Sequence, residues 1–277
     1  MTDPFWSRHT DHGRYYLDPA SGELLPSVTN VIGTCVAKER LVPWAARITA
    51  EWAADHPDEI REHVGADRAA LIRAMTGAHV AITDHAMDLG TRVHAGAEAK
   101  VLGAPLPDDP EAAPYLRQLD KWFAAWRVNP DRDIEAAELT VINRTVGYAG
   151  TGDLLVWLRT GRLRRRQLWL IDYKSSATRP ASSVYPEYDL QLGALRNGET
   201  VLLPDGTELP MPRVQRAGIL NLRVRSHAFV PMPADDATWN AFRNLVPVAR
   251  WLHDAPTTHP ALKPPPWADE PTTGEAA

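Results

Sequence analysis

The chain has 277 residues, a net charge of −5 at pH 7 and 44% hydrophobic residues, enough apolar material to bury the core of one large domain or two small ones. Its one cysteine, Cys35, excludes an intrachain disulfide and any four-cysteine zinc or iron–sulfur site, and suits a reducing cytoplasm. The acidic balance argues against coating nucleic acid through bulk positive charge, no apolar run reaches membrane-spanning length, and the amino end lacks a basic stretch followed by an apolar one.

Arg14–Leu17 and Leu24–Leu25 flank Asp-Pro-Ala-Ser-Gly, which predicts a small hairpin. A helical region follows over residues 27–127. Ser27 or Thr29 caps a short first helix, and Pro43 suits the first turn of another that runs through Trp44, Ile48 and Trp52. Tyr115, Leu119, Trp122, Phe123 and Trp126 recur at helical spacing and read as a core-facing stripe.

From Ala136 the period changes. Glu138–Ile142, Leu154–Leu158 and Leu168–Tyr173 are short runs of Val, Ile, Leu and Trp, and read as three sequential strands. Leu154–Leu158 is apolar on both faces, as a central strand covered by helices would be. A helix near Glu187–Arg196, an excursion turning at Asp205-Gly206, strands at Gly218–Arg225 and His227–Met232, and a closing helix over 234–253 complete the order. Residues 255–277 hold six of the 24 prolines and no apolar period, so a disordered tail is expected there. The prediction is one α/β domain over 1–254, a mixed central sheet between helical layers with a helical amino-terminal part.

The chemistry concentrates in Asp153 and in the run Trp169-Leu-Ile-Asp172-Tyr173-Lys174. Alternation on a strand points Asp172 and Lys174 one way and Tyr173 the other. A hairpin turning between Arg162 and Leu163 sets Asp153 opposite Asp172. Two facing carboxylates repel unless a cation lies between them, and hard oxygen donors suit Mg²⁺ or Mn²⁺. The competing reading is a structural Asp/Lys ion pair at strand ends, which stabilises little.

Gly147-Tyr148-Ala149-Gly150-Thr151-Gly152-Asp153, then Asp172-Tyr173-Lys174, then Gln191 on the following helix, together resemble the PD-(D/E)xK nuclease superfamily, in its RecB-like and lambda-exonuclease-like branch. The likeness spans roughly residues 85–230 and rests on the combination. It implies a restriction-endonuclease-like αβββαβ core within residues 85–232 and divalent-metal-dependent DNA hydrolysis, as in a phage-type exonuclease of recombination, replication or repair. Endonuclease action by the same fold, or an inactive relative that only binds nucleic acid, are the alternatives. By the same resemblance Asp153 and Asp172 hold the metal, with the Tyr173 carbonyl as a further ligand, and Lys174 orients or activates water. DNA is the implied partner, a single-strand annealing or recombinase protein a further candidate, and the cytoplasm, the host's if phage-encoded, the implied location. No nucleotide cofactor is implied, since the chain lacks a Walker motif.

Helical geometry places His94 on a stripe with Met87, Gly90, Ala97 and Val101, facing inward. The resemblance makes His94 a metal ligand; a satisfied core histidine is the alternative. Glu98, one turn on, shares the face and can orient His94 or water, or be a solvated carboxylate. Glu138, alternating with Thr140 and Ile142, is a candidate outer carboxylate. Gln191 fits the glutamine of the family's Gln-x-x-x-Tyr motif, which contacts DNA, or is a buried amide. Leu195 replaces the motif's tyrosine, with Tyr188 as a substitute stacking residue. Arg47 is a candidate contact for a DNA-end phosphate or a solvated helix arginine. The basic run Arg162, Arg164, Arg165 and Arg166 sits at the predicted turn, roughly 30 Å from the aspartates at about 3.3 Å per residue; it holds duplex away from the cut, docks a partner, or is a solvated turn.

Overall fold

The computed structural model describes residues 4–265. An amino-terminal sheet of three antiparallel strands, β1 (Ser7–Thr10), β2 (Gly13–Leu17) and β3 (Leu24–Pro26), extends the predicted hairpin by one strand. Helix α1 (Val28–Cys35) follows, and the Ser27 hydroxyl caps it by accepting the Asn30 amide at 3.0 Å. Then come α2 (Leu41–Asp55), α3 (Pro57–Val64), the 34-residue α4 (Arg68–Val101), α5 (Ala113–Trp126) and the single turn α6 (Pro130–Asp133).

The second half of the chain forms β4 (Ile134–Asn143), β5 (Tyr148–Thr160), β6 (Arg165–Ser175), α7 (Pro186–Arg196), β7 (Thr200–Leu202), β8 (Glu208–Pro210), β9 (Arg216–Leu222), β10 (His227–Met232) and α8 (Asp236–Asp254). The seven strands form one mixed sheet in the order β10-β9-β6-β5-β4-β7-β8. Only the β6–β9 pair is parallel, with α7 in the crossover between them, as parallel neighbours require. The turn of the β5–β6 hairpin spans Gly161–Arg164, where the sequence predicts it. β5 starts at Tyr148, earlier than the apolar run suggests, because its glycine-rich opening is strand as well.

Helices cover both faces of this sheet. On one, Val28 and Ile32 of α1, Leu192 and Leu195 of α7, and Phe242 and Val246 of α8 pack with Leu155, Leu170 and Ile219. On the other, Val93 and Ala97 of α4 and Leu119 and Trp122 of α5 pack with Leu154, Val156, Ile171 and Leu220. The odd/even split along β5, β6 and β9 is the period-2 pattern of a sheet buried on both sides. The α5 stripe is buried as expected except at Trp126, which is 39% exposed and leans on Phe229.

Only the later part of α4 lies on the sheet. Its first half packs against α2, and Ile72, Val80 and Met87 are exposed. Met87 therefore departs from the inward stripe predicted for it, since the helix has not yet reached the sheet at that residue. Residues 255–265 form neither helix nor strand; the rest of the expected tail, 266–277, lies outside the described residues. No helix among the described residues is long and apolar enough to cross a membrane.

Candidate metal centre and active site

The β5–β6 ladder holds its register to Leu154↔Ile171, which places Asp153 against Asp172 one residue beyond. There the strands part. The Tyr173 amide donates not to a backbone carbonyl of β5 but to Asp153 Oδ2, at 2.6 Å. That exchange lets the Asp153 carboxylate sit between strands while both backbones stay satisfied. Gly150, three residues earlier, is where α1 and α7 press on β5: a Cβ there would lie 2.9 Å from Leu195 Cδ2 and 3.0 Å from Val28 Cγ2. A larger residue would lever both helices off the strand that carries Asp153.

Glu138 enters from β4, in register with Asp153, since Leu139 pairs Gly152 and Ala137 pairs Leu154. Its φ of 48° is left-handed, uncommon for a residue other than glycine, asparagine or aspartate and a cost that neighbouring structure must offset. Alternation cannot be read through such a residue. The prediction that Glu138 simply follows Thr140 and Ile142 therefore fails as a backbone argument, although the side chain does reach the aspartates. His94 Nδ1, from α4, lies 3.4 Å from Asp153 Oδ2 and 4.0 Å from Glu138 Oε1. The other ring nitrogen, Nε2, donates to the Tyr173 carbonyl at 3.1 Å. This fixes the ring and leaves Nδ1 facing the carboxylates. The Tyr173 carbonyl thus orients the histidine.

Asp172 and Lys174 point together on β6 and form a closed triangle with Gln191 of α7. Gln191 Nε2 donates to Asp172 Oδ1 at 2.6 Å, Lys174 Nζ donates to Gln191 Oε1 at 3.2 Å, and Nζ stands 2.7 Å from Asp172 Oδ2. That last contact is ionic rather than well directed, and the buried Oδ2 has no hydrogen-bond partner. The Tyr188 ring lies under the ammonium, 5.1 Å from Nζ. Leu195, at the place of the missing tyrosine, is buried in the core.

Charge in this cluster is strongly coupled. Burial pushes the Glu138 and Asp172 carboxyls up, to about 8 and about 6, with Asp153 adding repulsion to each. Glu98 contributes to the same field at Glu138. Burial alone would push His94 down and Asp153 up. Their mutual attraction overrides it, and with Asp172 and Glu138 assisting, the imidazolium titrates at about 9 while Asp153 falls below the ordinary carboxylate range.

Three acids with one histidine and one lysine fit a divalent cation better than they fit one another. Ligand atoms of His94, Glu138 and Asp153 lie within 4.8 Å of one another, and bonds of about 2.1 Å put neighbouring ligands about 3 Å apart and opposite ones about 4.2 Å apart. Asp172 Oδ2, which has no hydrogen-bond partner beyond its ionic contact with Lys174, is a fourth donor atom at hand. Carboxylates with one imidazole suit Mg²⁺ or Mn²⁺, the nitrogen favouring the latter.

A cleft of about 160 Å³ joins His94, Glu138, Asp153, Asp172, Lys174 and Gln191 to Arg14, Ser27 and Thr29 at the start of α1. Arg14 was not legible as a site residue in the sequence. It lies on β2 far from the motifs, and only the seating of the small sheet brings it here. Arg47 is not among the cleft residues; it is exposed on α2 and ion-paired with Glu51 one turn on. A further residue hidden from the sequence is Arg223. Its buried guanidinium donates to the carbonyls of Lys174 (2.8 Å), Leu222 (2.8 Å), Arg179 (2.7 Å) and Pro180 (3.2 Å) and to Asn221 Oδ1 (3.1 Å). It pins the segment leaving Lys174 from below the sheet.

No family model and no curated protein matches this chain. Among solved structures, the crystal structure of a protein designated SSO0001 is similar at 16% identity, covering 61% of this chain and 74% of that one, with a TM-score of 0.29. A likeness that slight carries no argument about function.

Proposed function

We propose that the chain is a divalent-metal-dependent deoxyribonuclease with a restriction-endonuclease-like core, of the RecB-like and lambda-exonuclease-like branch of the PD-(D/E)xK superfamily, acting as an exonuclease. One observation carries the reading. Four elements, α4, β4, β5 and β6, deliver an imidazole, two buried carboxylates, one half-buried carboxylate and an ammonium to a single cleft. The order α4, β4, β5, β6, α7, β9 supports the same core.

Held by His94, Glu138 and Asp153, with Asp172 beside them, a divalent ion supplies charge for the phosphate and acidity for water. The protein's own groups do the rest. Asp153 anchors to the Tyr173 amide and so keeps its remaining lone pairs directed into the cleft. Lys174, aimed by Asp172 and Gln191, presents an ammonium that stabilises negative charge developing on a phosphate oxygen. Tyr188 supports that ammonium from beneath.

The test is digestion of end-labelled linear DNA and of circular DNA with Mg²⁺, Mn²⁺ or chelator. Metal-dependent loss of linear DNA alone is expected, with Asp153→Ala and Lys174→Ala inactive. Cutting of circles would make it an endonuclease. Binding without turnover under any divalent ion, or full activity in both variants, would end the proposal.

A further inference from the structure

A second hollow is larger than the cleft. A groove of about 680 Å³ lies at the far end of the β5–β6 hairpin, lined by Arg162, Arg165 and Arg216 over a floor that includes Trp169, Pro231 and Met232. Along the strands the groove runs from Trp169, three residues or about 10 Å from Asp172, out to Arg162, nine residues or about 30 Å from Asp153, at about 3.3 Å per residue.

Its charge is unusual for a solvated turn. All three arginines are exposed, and among the described residues none has an ion pair or a side-chain hydrogen bond. The hairpin also sets Arg159 against Arg166 and Thr160 against Arg165, and like charges directly opposite on a sheet destabilise it. Arg166 is relieved by the Trp157 ring at 4.8 Å and by Asp133 at 3.5 Å; the groove arginines have no such relief. Free guanidinium groups and a volume far above that of one phosphate ask for an extended ligand bearing several anionic oxygens.

We infer that this groove is a second binding site, one that takes the phosphodiester backbone of nucleic acid whose other part lies in the cleft. The assignment rests on the nuclease reading above. Nucleic acid rather than an acidic polypeptide is indicated because one partner can then satisfy both sites, and a stretch from about 10 to about 30 Å corresponds to about three to nine base pairs of duplex at about 3.4 Å each.

The experiment measures binding of fluorescent duplex to the full chain in chelator across a salt series, so that no hydrolysis is needed. Arg162→Ala/Arg165→Ala/Arg216→Ala is compared with a control carrying the same charge change elsewhere, Arg61→Ala/Arg68→Ala/Arg73→Ala. On a duplex of about 24 base pairs, loss of three phosphate contacts should lower the slope of log K against log salt by about 2.7 and weaken binding at least about tenfold. The control should move neither, and both proteins should melt like the parent, the replaced side chains being exposed. An unchanged slope in the groove variant, an equal loss in the control, or a loss of binding to polyglutamate but not to DNA would each overturn the assignment. Cleavage is read separately in Mg²⁺. If DNA is cut while the slope stays put, the groove assignment alone is lost; if the slope falls while DNA is never cut, the nuclease reading alone is lost.

Discussion

Adding a divalent ion to the metal-free protein should stabilise it, by an amount that grows with pH. Glu138, Asp153 and Asp172 are crowded together with two cations to share, so an ion that binds this arrangement and not the unfolded chain contributes RT ln(1 + [L]/Kd), about 2.7 kcal/mol at a hundredfold excess over Kd. For a chain of this size each kcal/mol raises Tm by roughly 2–4 °C, which predicts a rise of about 5–11 °C. The pH dependence follows from the raised carboxyls. Glu138 titrates at about 8 and Asp172 at about 6 in the folded protein. Both bind protons more tightly folded than unfolded, so their contribution to stability falls as pH rises from the ordinary carboxylate range through those values. His94 acts in the same sense: its contribution is complete below the ordinary histidine pKa and lost as pH passes about 9. A metal ion replaces those protons, so its affinity rises over the same window. Thermal melts between about pH 5 and pH 9, with Mg²⁺, Mn²⁺ or chelator, provide the measurement, and Mn²⁺ should act at lower concentration because of the imidazole donor. Absence of any shift up to about 10 mM of either ion at high pH, or an equal shift in Asp153→Asn, would refute the reasoning.

Arg223→Met should remove the guanidinium that holds the Lys174 and Leu222 carbonyls and cost roughly 2–4 kcal/mol by leaving buried acceptors unmet. Arg223→Lys, which restores charge but not the fork, should recover only part of it, as read in denaturant midpoints and in the rate of Mg²⁺-dependent cleavage; equal stability of Met and parent would show that the clamp is idle. Gly150→Val should destabilise by about 1–3 kcal/mol through overpacking against Val28 and Leu195, visible in the same midpoints. Gln191→Ala should lower cleavage more than stability, because the amide is half-exposed yet aims both Asp172 and Lys174; a variant with unchanged kcat and KM would place Gln191 outside the working cleft.

Local signals were legible where one element decides the outcome. The register of the β5–β6 hairpin, the shared face of Asp172 and Lys174, and the inward aspect of His94 all follow from the periods of strand and helix, and the structure agrees with each. Glu138 shows the limit. Its left-handed backbone is imposed by the sheet around it, and no local preference of glutamate announces it.

The sequence by itself determined the alternation of elements, the double-sided burial of the central strands and the pairing of the aspartates, because those depend on neighbours within a few residues or on one tight turn. Tertiary structure alone decided that Arg14 of a small separate sheet reaches the cleft, that Arg223, just past the end of β9, holds the backbone of β6, and that Arg216 joins the hairpin arginines around one groove. Each of these meetings crosses dozens of residues of chain. They are fixed by which hydrophobic faces must be buried against one another, a property of the packed whole that no window of sequence contains.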